Sequence, residues 1–336
     1  MKRDTRIDIM RTIAIFLILL AHVFPPKFLS IPRMFDVPLM TFLMGMGMLF
    51  SANKSENYFS YVKKRAKRLL IPAFRFLILF FILFNIINLA SNKKFIFTIG
   101  YYIGSFSTFS GVGYIWIIRV FFILSLLSPL FLVINKYTNS IFKKLAVLIV
   151  LLLIQENLAI FISSKSGLIA FIISNVFVMS LGYGIVTLVG IWTYENTKAD
   201  NIKILIFLFL LFVIFMFKYS FFDLPLLKYP PYPYYLVYGM LVSIILWLVF
   251  SNKNFIRFFE KNNFIKWVSI NSMDIYYWHI IPVFYLENYM SKDFMIKNWM
   301  LCYILVICFA LCGTRVGIFI KNKISIRMKK SNIYRR

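Results

Sequence analysis

Apolar residues fall along this chain in runs close to twenty residues long, broken by short polar connectors. At a rise of about 1.5 Å per residue, a helix of that length crosses a hydrocarbon core of about 30 Å. The pattern predicts ten spans, approximately Ile7 to Phe24, Val37 to Phe50, Leu70 to Leu89, Tyr114 to Ile134, Leu145 to Ile162, Leu168 to Thr193, Ile204 to Phe217, Tyr234 to Phe250, Trp267 to Glu287 and Asn298 to Ile320. The expected fold class is all-α, a polytopic transmembrane helical bundle.

Composition supports this reading, with 61% of the 336 residues hydrophobic and 15% charged. A net charge of +26 would suit nucleic acid, but the Lys and Arg residues sit in connectors between apolar runs, where the positive-inside rule accounts for them. Alternate connectors divide cleanly. The basic set comprises the N-terminus, Lys54 to Arg68, Lys136 to Lys144, Lys198 with Lys203, Lys253 to Lys266, and a tail from Lys321 to Arg336. The other set holds Lys27 with Arg33, Lys93 with Lys94, Lys165, Lys218 with Lys228, and Lys292 with Lys297. Both termini are therefore expected in the cytoplasm, which requires an even number of spans. The charged start and first apolar run lack a small-residue cleavage site and lead through Pro25-Pro26-Lys27-Phe28 into another apolar segment, so a retained helix is expected rather than a signal peptide. Residues 1–320 read as one transmembrane domain and 321–336 as a basic cytoplasmic strip suited to anionic lipid, with no connector long enough for a soluble domain. Cys302, Cys308 and Cys312 share one apolar run without His or carboxylate at ligand spacing, which argues packing rather than metal or disulfide.

The candidate chemistry begins in the first run. Arg11 and His22 have ten residues between them, so on a helix they share a face about 16.5 Å apart along the axis. Ionisable groups inside a span need a protein interior or a watery cavity, and are functional candidates by default. On the expected topology Arg11 lies toward the cytoplasm and His22 toward the outside. Only one other histidine exists, His279, either an interhelical hydrogen bonder or a positioning group. The run Tyr61 to Pro72 brings Arg65 and Arg68 into the third span, either as a headgroup anchor or as a grip for phosphates. Arg119 is a second embedded cation, placed to snorkel, to orient a substrate or to meet an oxyanion. Asp36 either fixes the tautomer of an imidazole or caps the second helix. The external aromatic cluster Lys228 to Tyr235 reads as an interfacial anchor or as a platform for sugar rings.

Several of these features fall in a known order. The chain resembles the integral-membrane acyltransferase-3 family, from Arg6 to about Arg315. The resemblance rests on Arg11 with His22, the second-helix stretch Pro38 to Gly45, the basic entry Arg65 to Pro72, the helix from Trp116 to Pro129, and the late segment Ser272-x-x-Ile275-Tyr276-x-x-His279. Met44 stands where the family usually has Ser, and Met40 where it usually has Phe.

The resemblance implies transfer of an acetyl or other small acyl group from cytoplasmic acyl-coenzyme A to a hydroxyl of a carbohydrate. A bacterial surface polysaccharide or its lipid-linked precursor is the expected acceptor, and the bacterial plasma membrane the expected location. It implies acetyl-CoA as co-substrate, no metal, and an acceptor finished by the chain itself or by a separate external protein. On this reading Arg11, Arg65 and Arg68 hold the donor, and His22 acts as general base with Asp36 orienting it. Arg119, His279 and Tyr276 contact substrate, and His279→Ala is expected to keep full turnover. The competing class is a transporter, flippase or polymerase for lipid-linked sugars; internal pseudo-repeats or a large external loop would favour it, and neither is present. A degenerate member serving only as sensor or partner is the third class. Retention of Arg11 and His22 argues against it.

Overall fold

The computed structural model describes residues 3–52, 57–91 and 97–333. Lys2, Lys54, Lys93, Lys94, Arg335 and Arg336, used above to orient the chain, lie outside the described residues, as do the side chains of Lys253, Arg327, Lys329 and Lys330. No strand occurs among the described residues. In chain order the α-helices are α1 Thr5–Ala21, α2 Lys27–Ser30, α3 Asp36–Ala52, α4 Tyr58–Ala90, α5 Ile99–Ser107, α6 Trp116–Leu126, α7 Ser128–Tyr137, α8 Ile141–Ser163 and α9 Leu168–Ile172. A π-helical turn, Ile173–Val178, leads into α10 Met179–Glu195. There follow α11 Lys198–Lys218, α12 Pro233–Val249, α13 Lys253–Glu260, α14 Asn263–Ile270, α15 Ser272–Tyr289, α16 Lys292–Lys297 and α17 Trp299–Ile333.

Polar caps mark where the apolar runs begin. Asp4, Asn57, Thr98, Ser140, Thr197, Asn262 and Ser291 each accept a first-turn N–H with the side chain, satisfying donors that a helix start leaves open.

Six helical segments are long and apolar enough to cross a membrane: 27–50, 58–90, 141–163, 168–195, 198–218 and 299–323. A seventh is formed if the pair 113–126 and 128–137 counts as one span bent by 54°. The sequence pattern predicted that pair as one run, but Pro129 at the start of α7 has no N–H to continue the ladder of α6. The remaining expected spans fall short for identifiable reasons. α1 and α12 have 17 residues each. α15 has 18 residues and carries Asp274, His279, Pro282 and Glu287. The predicted run from Trp267 to Glu287 is also broken at Asn271, where α14 ends and α15 begins. α17 runs unbroken past residue 320, so the start of the basic tail continues the last helix.

The chain forms two compact units. Unit 2, residues 34–256, is built around α10 packed on α3, with α12, α6 and α8 also against α10. Glycines set the closeness of α3 and α10. A Cβ on Gly45 would lie 2.9 Å from the Thr187 carbonyl carbon, and one on Gly190 would lie 2.8 Å from that of Phe42. Backbone meets backbone at both points, the small-residue contact that lets helices associate in lipid.

Unit 1 joins residues 1–33 to 257–336, with α1 packed against α14, α15 and α17. α15 pairs with α17 through Trp278, whose ring covers the positions where Gly313 and Gly317 lack a side chain. Thr12 Oγ1 donates to the Ile265 carbonyl at 3.2 Å, and Tyr303 Oη donates to the Phe16 carbonyl at 3.0 Å.

Gly45→Ala is expected to cost about 1–3 kcal/mol, because the added methyl meets rigid backbone. Gly47→Ala should change stability little, since a Cβ there meets nothing within 4 Å. Thermal unfolding of the two variants in detergent, compared with wild type, checks the difference.

Candidate functional site

The two histidines, distant in sequence, meet in unit 1. Arg11 sits in the first half of α1, half-buried. His22 is the C-cap of that helix, its N–H still bonded to the Leu19 and Leu20 carbonyls, so its ring projects where the helix ends. Phe24 follows with a left-handed φ of 52° and turns the chain away.

His279 comes to His22 from α15, with ring centroids 5.4 Å apart and ring planes inclined by 31°. It is fully buried. Its Nδ1–H donates to the Tyr276 carbonyl, one turn back on the same helix, which leaves the lone pair on Nε2. The Tyr276 ring lies 4.8 Å from the His279 ring. His22, His279 and Tyr276 thus form a row of tilted rings: one imidazole, a second imidazole of fixed tautomer, and a phenol. On α16, Lys292 Nζ lies 5.7 Å from the Phe24 ring.

A second polar group holds the helix that carries Arg11. Asp8, 6% exposed, accepts from Arg3 Nε at 2.5 Å and Nη2 at 2.6 Å, and from Ser269 Oγ of α14 at 2.7 Å. Sequence reasoning passed over Asp8, although a carboxylate one turn before a conspicuous arginine was a readable signal. Its burial is what makes it matter. A carboxylate removed from water must have its oxygens filled by donors.

The other expected residues belong to unit 2. Asp36 opens α3 and is 1% exposed, so it is no exposed cap; its Oδ1 accepts the Val37 N–H at 2.7 Å. In the same unit two fully buried phenols, Tyr183 and Tyr235, have hydroxyls 3.5 Å apart. Arg65 and Arg68 lie near the start of α4, the first half-buried with Cζ 4.9 Å from the Tyr61 ring centroid, the second exposed. Tyr61 Oη in turn accepts from Ser128 Oγ at 3.0 Å. Arg119, near the start of α6, is buried, so it does not snorkel to water. Nη1 donates to the Thr108 carbonyl, Nη2 donates to Asn175 Oδ1 at 2.9 Å, and Cζ stands 4.5 Å from the Phe109 centroid. Asn175 carries no motif and was not foreseen. The Lys228–Tyr235 cluster is partly internal, since Tyr234 and Tyr235 are fully buried while Tyr229 is exposed and meets Trp116 edge-on at 5.3 Å.

A family model described as an acyltransferase domain, of the acyltransferase-3 type, matches residues 4–317. The chain belongs to the acyltransferase-3 family. No curated protein and no solved structure matches it. Membership makes this a membrane acyltransferase, and in this acyltransferase-3 chain two imidazoles lie side by side at the end of α1. Among the described residues no group of three or more His, Cys, Asp or Glu side chains is arranged to hold a metal ion.

Asp8→Ala removes the acceptor for both Arg3 and Ser269. It is expected to destabilise the protein by about 1.5–3 kcal/mol, the range for hydrogen bonds to a charged group. Thermal unfolding, with Ser269→Ala as the milder comparison, checks this.

Proposed function

We propose that the protein transfers an acetyl or other small acyl group from cytoplasmic acyl-CoA to a hydroxyl of a surface polysaccharide or its lipid-linked precursor in the bacterial plasma membrane. The observation that carries the proposal is the imidazole pair at the end of the helix that bears Arg11, in a chain of the acyltransferase-3 family. With both termini cytoplasmic and ten crossings, as charge placement argues, the Arg11 end of α1 faces the donor pool and the His22 end faces the acceptor.

Arg11 holds the adenosine phosphates, where a guanidinium offers charge and paired donors. The pantetheine arm runs outward along α1 and brings the thioester to His22. His22 takes the proton from the acceptor hydroxyl as its oxygen attacks the thioester carbonyl. The tetrahedral intermediate then expels the coenzyme A sulfur, which leaves with the proton held by the imidazole. One C–O bond forms, one C–S bond breaks, and no oxidant or metal is consumed. General base catalysis of this kind supplies about 10²–10⁴-fold. Tyr276, whose ring lies against the second imidazole, contacts the acceptor.

The packing of His279 on His22 revises the expectation for that residue. With its Nδ1–H held by Tyr276, its ring forms one wall against which the base is oriented. Loss of that wall lets His22 rotate.

Acetyl-CoA binding and thioester hydrolysis by the purified protein test the proposal. His22→Ala is expected to bind donor and to lose at least about 100-fold in turnover. Arg11→Ala is expected to weaken donor binding, and His279→Ala to lower turnover by less than His22→Ala does. A folded wild-type sample that binds no acyl-CoA would sink the acyltransferase reading in favour of a lipid-linked sugar transporter.

A further inference from the structure

We infer that the buried guanidinium of Arg119 seats a phosphate group on the acceptor, an assignment that rests on the acyl-transfer reading for the identity of its ligand as second substrate. Arg119 is 5% exposed, and every neighbour it bonds is neutral: a backbone carbonyl, an amide oxygen and an aromatic face. Its Nε is buried and meets no acceptor. None of the ion pairs among the described residues includes it. A clamp between a carbonyl and an amide oxygen needs donors but no charge. An arginine cannot shed its charge by deprotonation, so a buried one without a counter-ion is costly and is kept for a reason.

The seat is built rather than incidental. The turn that supplies the Thr108 carbonyl places Thr108 at φ 66° and Gly111 at φ 73°. Ser105 Oγ locks that turn, donating to the Tyr101 carbonyl at 2.7 Å and accepting the Val112 N–H at 2.9 Å. On the opposite side Asn175 lies in the π-helical turn, a rare feature that recurs at functional sites. Its Nδ2 donates to the Phe171 carbonyl at 2.9 Å, which fixes the amide with Oδ1 toward Arg119. Phe109 packs on Phe171 with centroids 6.1 Å apart and closes one face of the guanidinium. Nε is therefore the donor of this rigidly held cation that no protein acceptor answers.

Charge placement in the connectors sets this end of α6 toward the external face. The anionic oxygens abundant at that depth are phosphate esters, which guanidinium binds with charge-assisted hydrogen bonds. They come from two sources: the polyprenyl phosphate of a lipid-linked precursor, or a phosphodiester within a surface polymer.

Equilibrium binding to the full chain in uncharged detergent at low salt tests the assignment. The probes are a polyprenyl phosphate, the matching polyprenol and sn-glycerol 3-phosphate, and acetyl-CoA binding is measured on the same sample. Wild type is expected to prefer a phosphate probe to the polyprenol by at least about tenfold, and Arg119→Gln to lose that preference. Preference for the lipid probe alone identifies the lipid-linked source. Equal response to glycerol phosphate identifies the polymer source. Unchanged phosphate affinity in Arg119→Gln, or a polyprenol bound as tightly as its phosphate, overturns the assignment. If Arg119→Gln does not fold, Arg119→Lys decides: it keeps the charge without the planar fork, and undiminished affinity there also overturns it. Acetyl-CoA binding without phosphate preference would remove the Arg119 site and leave the acyltransferase reading standing. Phosphate preference without donor binding would do the reverse.

Discussion

Hydrocarbon offers no hydrogen bonds, so each carboxylate, imidazole and guanidinium carried into the helical body of this chain has to be answered by another part of the same chain. That constraint runs through the structure. Asp8 is filled by Arg3 and Ser269, His279 hands its Nδ1–H to the carbonyl one turn back, and Arg119 is held by a backbone carbonyl and an amide. Gln155 donates to the Pro231 carbonyl, and Trp192 Nε1 donates to Thr138. The bonds of Asp8 with Ser269, Arg119 with Asn175 and Gln155 with the Pro231 carbonyl each tie a helix to a distant part of the chain.

The same constraint separates structural from chemical polarity. Asp8 sits in a satisfied network, and its task is to hold α1 against α14. His22 stands at a helix end, half-buried, with a second imidazole against it. Burial distinguishes the two imidazoles: His279 is fully enclosed, and His22, which we propose as the reacting ring, stands half-buried at the helix end.

Close packing is the second requirement. Leu, Ile and Phe on lipid-facing surfaces gain nothing from helix association, because lipid tails are equally apolar. Association must come from close contact, and Gly45, Gly190, Gly239 and Gly313 let α3, α10, α12 and α17 come within reach of their neighbours inside each unit. The regular ladder is interrupted at two places in unit 2, between α6 and α7 and at the π-helical turn that carries Asn175.

Much of this was legible from sequence because hydropathy, charge placement and motif order are local properties. The all-helical class, the family, and the candidacy of Arg11, His22, Arg119 and His279 all came from runs and spacings along the chain. Helix ends were less legible. Pro129 bends one predicted span and Asn271 divides another run, because a proline or a polar cap acts on hydrogen bonds that a hydropathy window does not see. The pairing of His22 with His279 and of Arg119 with Asn175 was invisible. Their sequence separations are hundreds and tens of residues, and only helix packing decides which faces meet. The sequence by itself determined that this chain is a helical membrane acyltransferase with unusual charges in its apolar runs. Tertiary structure alone decided which of those charges were answered and by what, since a buried group's partners are set by neighbours in space rather than along the chain.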